Sequence, residues 1–95
     1  MRGRKKIDRT IEADYSGVCF KPCGLKRSEL ERVILFEDEM EALRLADYEG
    51  LYQQECADRM GISRTTFSRL IESARKKIAD ALINTKALKI KRVNN

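Results

Sequence analysis

The chain has 95 residues, no histidine, one proline, five glycines and a net charge of +5. That length holds one domain with a modest core. No apolar run approaches the roughly 18–20 residues that span a bilayer, and without histidine the commonest general base is missing, so a membrane-spanning protein and most acid–base enzymes are disfavoured.

The positive charge is segregated. Residues 1–9 carry a net +4, residues 10–62 a net −6, residues 63–82 a net +3 and residues 83–95 a net +4. An acidic middle between basic segments suits a polyanionic partner; the blander reading is ordinary solubilising charge. The N-terminus is basic, but no hydrophobic signal core follows it, which points to the cytoplasm. Cysteines in that compartment are expected as thiols.

In chain order, residues 1–14 read as a flexible basic arm and residues 15–95 as a single domain. Residues 15–23, YSGVCFKPC, alternate around Val18 and Phe20 until Pro22 and Gly24 stop the pattern, so a short extended segment is expected. Ser28 and Glu31 have the spacing of a capping box. The VILF run that follows fits a helix or a buried extended stretch equally well. Residues 37–48, EDEMEALRLADY, read as a helix with acids in its first turn, where the dipole favours them. Met40, Leu43 and Ala46 share one face, and Glu37, Asp38, Glu39 and Glu41 are assigned to the helix start and its solvent side. Gly50 ends it. Residues 52–60 form a short helix with Cys56, Ala57 and Met60 on its apolar face, and Gly61 breaks it. A long helix follows over about residues 64–83 and ends at Asn84-Thr85. Residues 87–93 alternate again and are expected to pair with the 15–21 segment.

Residues 52–83 meet the demands of a helix-turn-helix together. Two helices crossing steeply need a small residue at the crossing, and Ala57 supplies it. The turn needs a residue tolerant of positive φ, and Gly61 supplies it. Ile62 plugs the core after the turn, and Phe67, Leu70 and Ile71 line the inner face of the second helix. Ser63 is a good N-cap. An ordinary αα-hairpin is the competing reading.

With Phe67 inward, a step of about 100° per residue places Thr65, Arg69 and Lys76 outward and Ser68 on the flank. Recognition helices enter the major groove by their N-terminal end. Ser63, Arg64, Thr65, Thr66, Ser68 and Arg69 are therefore the expected reading end, with Lys76 farther along. Arginine grips guanine bidentately, and serine and threonine serve several bases. Arg75 and Lys77 are expected on phosphate or solvent. Glu72 either pairs with Arg69 or Arg75 or accepts from cytosine N4.

These residues carry a resemblance. The stretch from Leu51 to Leu82, with the EG before it (EGLYQQECADRMGISRTTFSRLIESARKKIADAL), is similar to the promoter-reading fourth region of bacterial sigma factors. More closely, FKPCG, DEMEALRLADYEG and RMGISRTTFSRLIESARKKIADAL resemble a small uncharacterised prokaryotic family of predicted DNA-binding proteins. The resemblance covers roughly residues 15–92. It implies a transcription-associated binder of double-stranded DNA, with Ser63, Arg64, Thr65, Thr66, Ser68 and Arg69 as its reading end.

Two other readings are weaker. Cys19 and Cys23 form a C-x₃-C pair, but structural zinc usually takes four protein ligands. With no histidine and only Cys56 besides, no metal and no cofactor are expected. No Gly-rich phosphate loop is present, and no enzymatic activity is expected. A protein-interaction module, docking on RNA polymerase or another transcription protein through the acidic helix 37–49, is the alternative to DNA binding. A homodimer would lengthen the short site that one helix-turn-helix reads. The expected fold is mainly α: a helix-turn-helix bundle like sigma region four, with short terminal strands.

Overall fold

In the computed structural model, which describes residues 10–12, 14–15 and 17–92, a three-stranded sheet backs a group of three helices. Strand β1 is Cys19–Phe20, and a single 3-10 turn, Arg27–Glu29, leads to strand β2, Arg32–Phe36. Helix α1, Glu37–Leu43, continues into a π-helical turn, Arg44–Tyr48. Helix α2 is Gln53–Met60, helix α3 is Arg64–Ile83, and strand β3 is Ala87–Lys91. The fold is therefore mixed α and β: beside the helices and short terminal strands of the expected mainly α fold, a third strand at Arg32–Phe36 completes a sheet. Of the arm expected over 1–14, residues 1–9 lie outside the described residues. Thr10 and Glu12 are bonded to the folded body: the Thr10 N–H donates to the Met60 carbonyl at 3.0 Å.

β3 is the central strand. It pairs antiparallel with β1, Cys19 opposite Lys89 and Phe20 opposite Leu88. This is the expected partnership of the two terminal segments. β3 also pairs in parallel with β2, from Arg32 opposite Ala87 to Phe36 opposite Lys91. A parallel pair needs a long crossover; here all three helices supply it. The VILF run is thus strand, with Val33 and Leu35 buried and Ile34 and Phe36 half-buried, the period of two that a sheet with one covered face imposes. Ser28 lies within the 3-10 turn and caps no helix, because sheet pairing from Arg32 onward claims the residues a helix would need.

Two apolar clusters make the core. Ala42, Leu45, Cys56, Ala57, Met60, Phe67 and Ile71 form the first, and Leu35, Ala74 and Ile90 the second. α3 belongs to both, so one helix joins the helical layer to the sheet. Burial pushes the Cys56 thiol up, and its Sγ donates to the Leu51 carbonyl at 3.6 Å.

The acids of α1 are a correction. Glu37, Asp38, Glu39 and Glu41 are all buried, not on a solvent face. The buried apolar residues of this helix and the π turn are accordingly Ala42 and Leu45, while Met40, Leu43 and Ala46 are half-buried. The acids are inside because each serves as an acceptor. Glu39 reaches back to the Phe36 N–H at 2.9 Å and also accepts from Ser73 Oγ and, at 2.8 Å, from Lys77 Nζ. Asp38 accepts from the Glu39 N–H at 2.8 Å. Glu37 accepts from the Tyr15 N–H at 3.3 Å. Glu41 takes both Arg44 Nε and Nη2 at 2.9 Å, the Glu12 N–H at 3.2 Å and Tyr15 Oη at 3.4 Å. Buried charge is tolerated when paired and hydrogen-bonded in this way.

Two stability outcomes are expected. Gly61 has φ of 70°, and its N–H bonds back to α2; Gly61→Ala should cost about 1–2 kcal/mol in urea unfolding, because a Cβ is strained there. For Glu41, burial raises the carboxyl pKa, but hydrogen bonds from Arg44 and the Glu12 backbone outweigh it and hold the group below its ordinary 4.5. A lowered folded pKa gives stability that is complete above pH 4.5 and is lost as pH falls through the folded value. Glu41→Gln should lower stability at pH 7 by about 1–3 kcal/mol. It should also flatten the acid limb of the stability profile; equal acid sensitivity in both proteins would contradict the assignment.

Candidate nucleic-acid interface

The turn between α2 and α3 is built as its sequence demands. Gly61 takes the left-handed conformation, and its N–H donates to the Asp58 carbonyl at 3.2 Å. The Ile62 N–H returns to Ala57 at 3.1 Å, and Ile62 packs against the first cluster. Ala57 and Phe67 are fully buried and Ile71 nearly so, while Leu70 is half-buried against the same cluster. Ser63 caps α3: its Oγ accepts from the Thr66 N–H at 3.1 Å and donates to Thr66 Oγ1 at 3.0 Å. These contacts fix the direction in which α3 leaves the turn.

The structure separates the polar residues of α3 into two sets. Arg64, Thr65, Arg69 and Lys76 are exposed, and none of them forms an ion pair with another of the described residues. Ser63 is exposed but caps the helix. Thr66 and Ser68 are half-buried; the Ser68 hydroxyl donates to Gln53 Oε1 at 2.8 Å and so ties α3 to the first turn of α2. The second set is tied to acids of the fold. Arg75 grips Asp47 of the π turn through Nε at 3.0 Å and Nη2 at 2.7 Å. That bond holds the Asp47 carboxyl below, and the Arg75 guanidinium above, their ordinary values. Lys77 pairs with Glu39 and stands 4.8 Å from the centre of the Phe36 ring. Arg75 and Lys77 are therefore not the free cations expected from helical position alone.

Ser68's anchor, Gln53, and the acids that hold Arg75 and Lys77 were missed from sequence. The partners lie 15, 28 and 38 residues apart, beyond any local pattern. The sequence also gives no sign of an apolar cleft of about 510 Å³ at the other end of α3, lined by Phe20, Leu35, Met40, Ile78 and Leu82 among others. Its walls come from five separate elements, β1, β2, α1, α3 and β3. Cys19 and Cys23 are free thiols, on β1 and in the turn after it. Of the acidic helix 37–49, Asp47 and Glu49 are exposed, while the four acids of α1 face inward.

The arrangement gives a serine-capped helix end bearing two arginines that form no ion pair among the described residues, with a neighbouring exposed threonine. Such an end attracts anionic, acceptor-rich ligands.

Over residues 1–94 the chain matches the family described as "Protein of unknown function DUF134". It is 54% identical over 82 residues to a UPF0251 protein of Caldanaerobacter subterraneus, covering 86% of this chain and 70% of the relative. A UPF0251 protein of Prosthecochloris aestuarii is 51% identical over 88 residues, 93% of this chain and 57% of the relative. One from Methanococcus vannielii is 48% identical over 89 residues, 94% and 68% of the two chains. The chain thus spans between a little over half and about 70% of the length of these relatives. No solved structure matches it. The match along nearly the whole chain makes this protein a member of the prokaryotic DUF134 family.

Proposed function

We propose that the protein binds double-stranded DNA in a sequence-specific manner and regulates transcription, with α3 entering the major groove by its N-terminal end. The observation that carries this reading is the division of charge on α3. Arg64 and Arg69, at the leading end, are exposed and form no ion pair with the described residues, whereas Arg75 and Lys77 are tied to acids of the fold. A helix that served only to pack would have no use for that free end. The tight left-handed turn before it and the likeness of residues 51–82 to sigma region four support the same conclusion.

In the proposed mechanism Arg69 and Arg64 grip purine edges, Thr65 serves an adjacent base, and the hydroxyls of Ser63, Thr66 and Ser68 hold the helix in place while keeping acceptor capacity. Lys76 contacts phosphate farther along. The basic residues among 1–9, net +4, add contacts to phosphate. No bond is made or broken and no cofactor takes part. A second copy on a two-fold-related half-site would extend the short sequence one motif reads. Docking of a transcription protein on segment 37–49 loses its main support, because four of the acids that would form that face are buried.

The test is titration of labelled duplex at two salt concentrations, where binding should weaken steeply as salt rises. Absence of binding at low salt would count against DNA. Arg69→Ala should reduce discrimination between sequences by about 1–3 kcal/mol. Removing residues 2–6, RGRKK, should weaken every duplex alike. Uniform losses on all sequences for both changes would contradict that division of labour.

A further inference from the structure

Glu72 shares the outward strip of α3 with Thr65, Arg69 and Lys76. With Phe67 inward, the four fall within about 60° of arc, and Glu72 stands about 4.5 Å beyond Arg69 along the axis. Glu72 is exposed and makes no ion pair with another of the described residues. The cation one turn after it, Arg75, is held by Asp47 through two nitrogens. Arg69, one turn before it, makes no bond to it. Lys76, four residues on, is exposed and makes no bond to it either. The Asp47–Arg75 pair thus withdraws one of the neighbouring cations, and Glu72 stands as an acid without an ion pair among the described residues, on a cationic surface.

A carboxylate brought close to DNA is repelled by phosphate, and that cost is offset only where a base donor meets it. The carboxylate is acceptor-only. On the major-groove edge the amino donors are cytosine N4 and adenine N6. Beside adenine N6 stands N7, an acceptor that repels the second carboxylate oxygen; beside cytosine N4 stands a C–H, which does not. Guanine O6 and N7 and thymine O4 are acceptors and repel both oxygens. The separation of about 4.5 Å along the helix axis is close to one base-pair step of about 3.4 Å.

We infer that Glu72 is a specificity-determining residue, which admits cytosine and rejects guanine and thymine at the base pair next to the one Arg69 reads. This rests on the major-groove reading of α3 given above. The target then contains two adjacent G·C pairs, one contributing guanine to Arg69 and the other cytosine to Glu72. The acid acts chiefly by exclusion, since an unmatched base leaves it facing acceptors with its hydration removed.

Selection of bound duplexes from a random pool tests this with the wild-type chain, Glu72→Gln and Glu72→Ala. The wild type should select cytosine at one position beside an Arg69-dependent guanine, and replacing that cytosine should weaken binding about tenfold. Glu72→Gln should move the preference at that position to adenine, whose N6 and N7 match an amide. Glu72→Ala should erase the preference there and strengthen binding to unrelated duplexes, since a repulsive charge is gone. An identical base profile for all three proteins would overturn the role of Glu72 while DNA binding stands. Failure of the wild type to retain any duplex at low salt would overturn the DNA reading, and this inference with it.

Discussion

The direction of α3 depends on one packing constraint, the seating of Phe67 in the cluster formed with Ala57, Met60 and Ile71. Phe67 is fully buried, and it lies in the first turn of a 20-residue helix. With that ring fixed inward, the helix has no rotational freedom, so the exposed positions follow by geometry. The small Ala57 lets the two helices approach, and Gly61 supplies the backbone conformation that brings the second helix across the first. The surface chemistry of the helix end is thus a consequence of its buried side.

Electrostatics then divides the helix along its length. Glu39 and Asp47 reach α3 from α1 and the π turn and bind Lys77 and Arg75. The π turn itself is closed by an i to i+5 bond from the Glu49 N–H to the Arg44 carbonyl at 2.8 Å; such wide turns change the facing of the residues within them, and this one leaves Asp47 in reach of Arg75. The acids that neutralise the middle of α3 stop short of its leading end, where Arg64 and Arg69 keep their charge toward solvent. An acidic body with a basic edge is the result, and exposed charge of this kind steers a polyanion toward one side of the molecule.

The legible part of this architecture was local. Gly61, Ser63 and the 3.6-residue spacing of Phe67, Leu70 and Ile71 specify the two helices and the turn within 20 residues, and the structure places each as the pattern requires. The pairing of the two terminal segments was also readable from their alternation. What could not be read were relations between distant residues. VILF fits two conformations, and only its parallel partner β3 decides for strand. The acids of α1 look like a solvent face because local rules place acids at exposed helix starts. Their burial follows from donors that arrive from other segments, the N–H groups of Glu12 and Tyr15 and the side chains of Ser73 and Lys77. For the site, exposure of Arg64 and Arg69 followed from helix geometry, while the capture of Arg75 and Lys77 depended on partners from another element.

The parallel alignment of β2 with β3 has a kinetic consequence. These strands flank the whole helical segment, so their pairing closes a loop of more than half the chain. Ordering so long a loop carries an entropic cost that contacts within α2 and α3 do not share. Chains rich in such distant pairings fold more slowly than those built from neighbouring contacts. The helical hairpin is then the part able to form early, and closure of the sheet around it is the slow event that completes the native state.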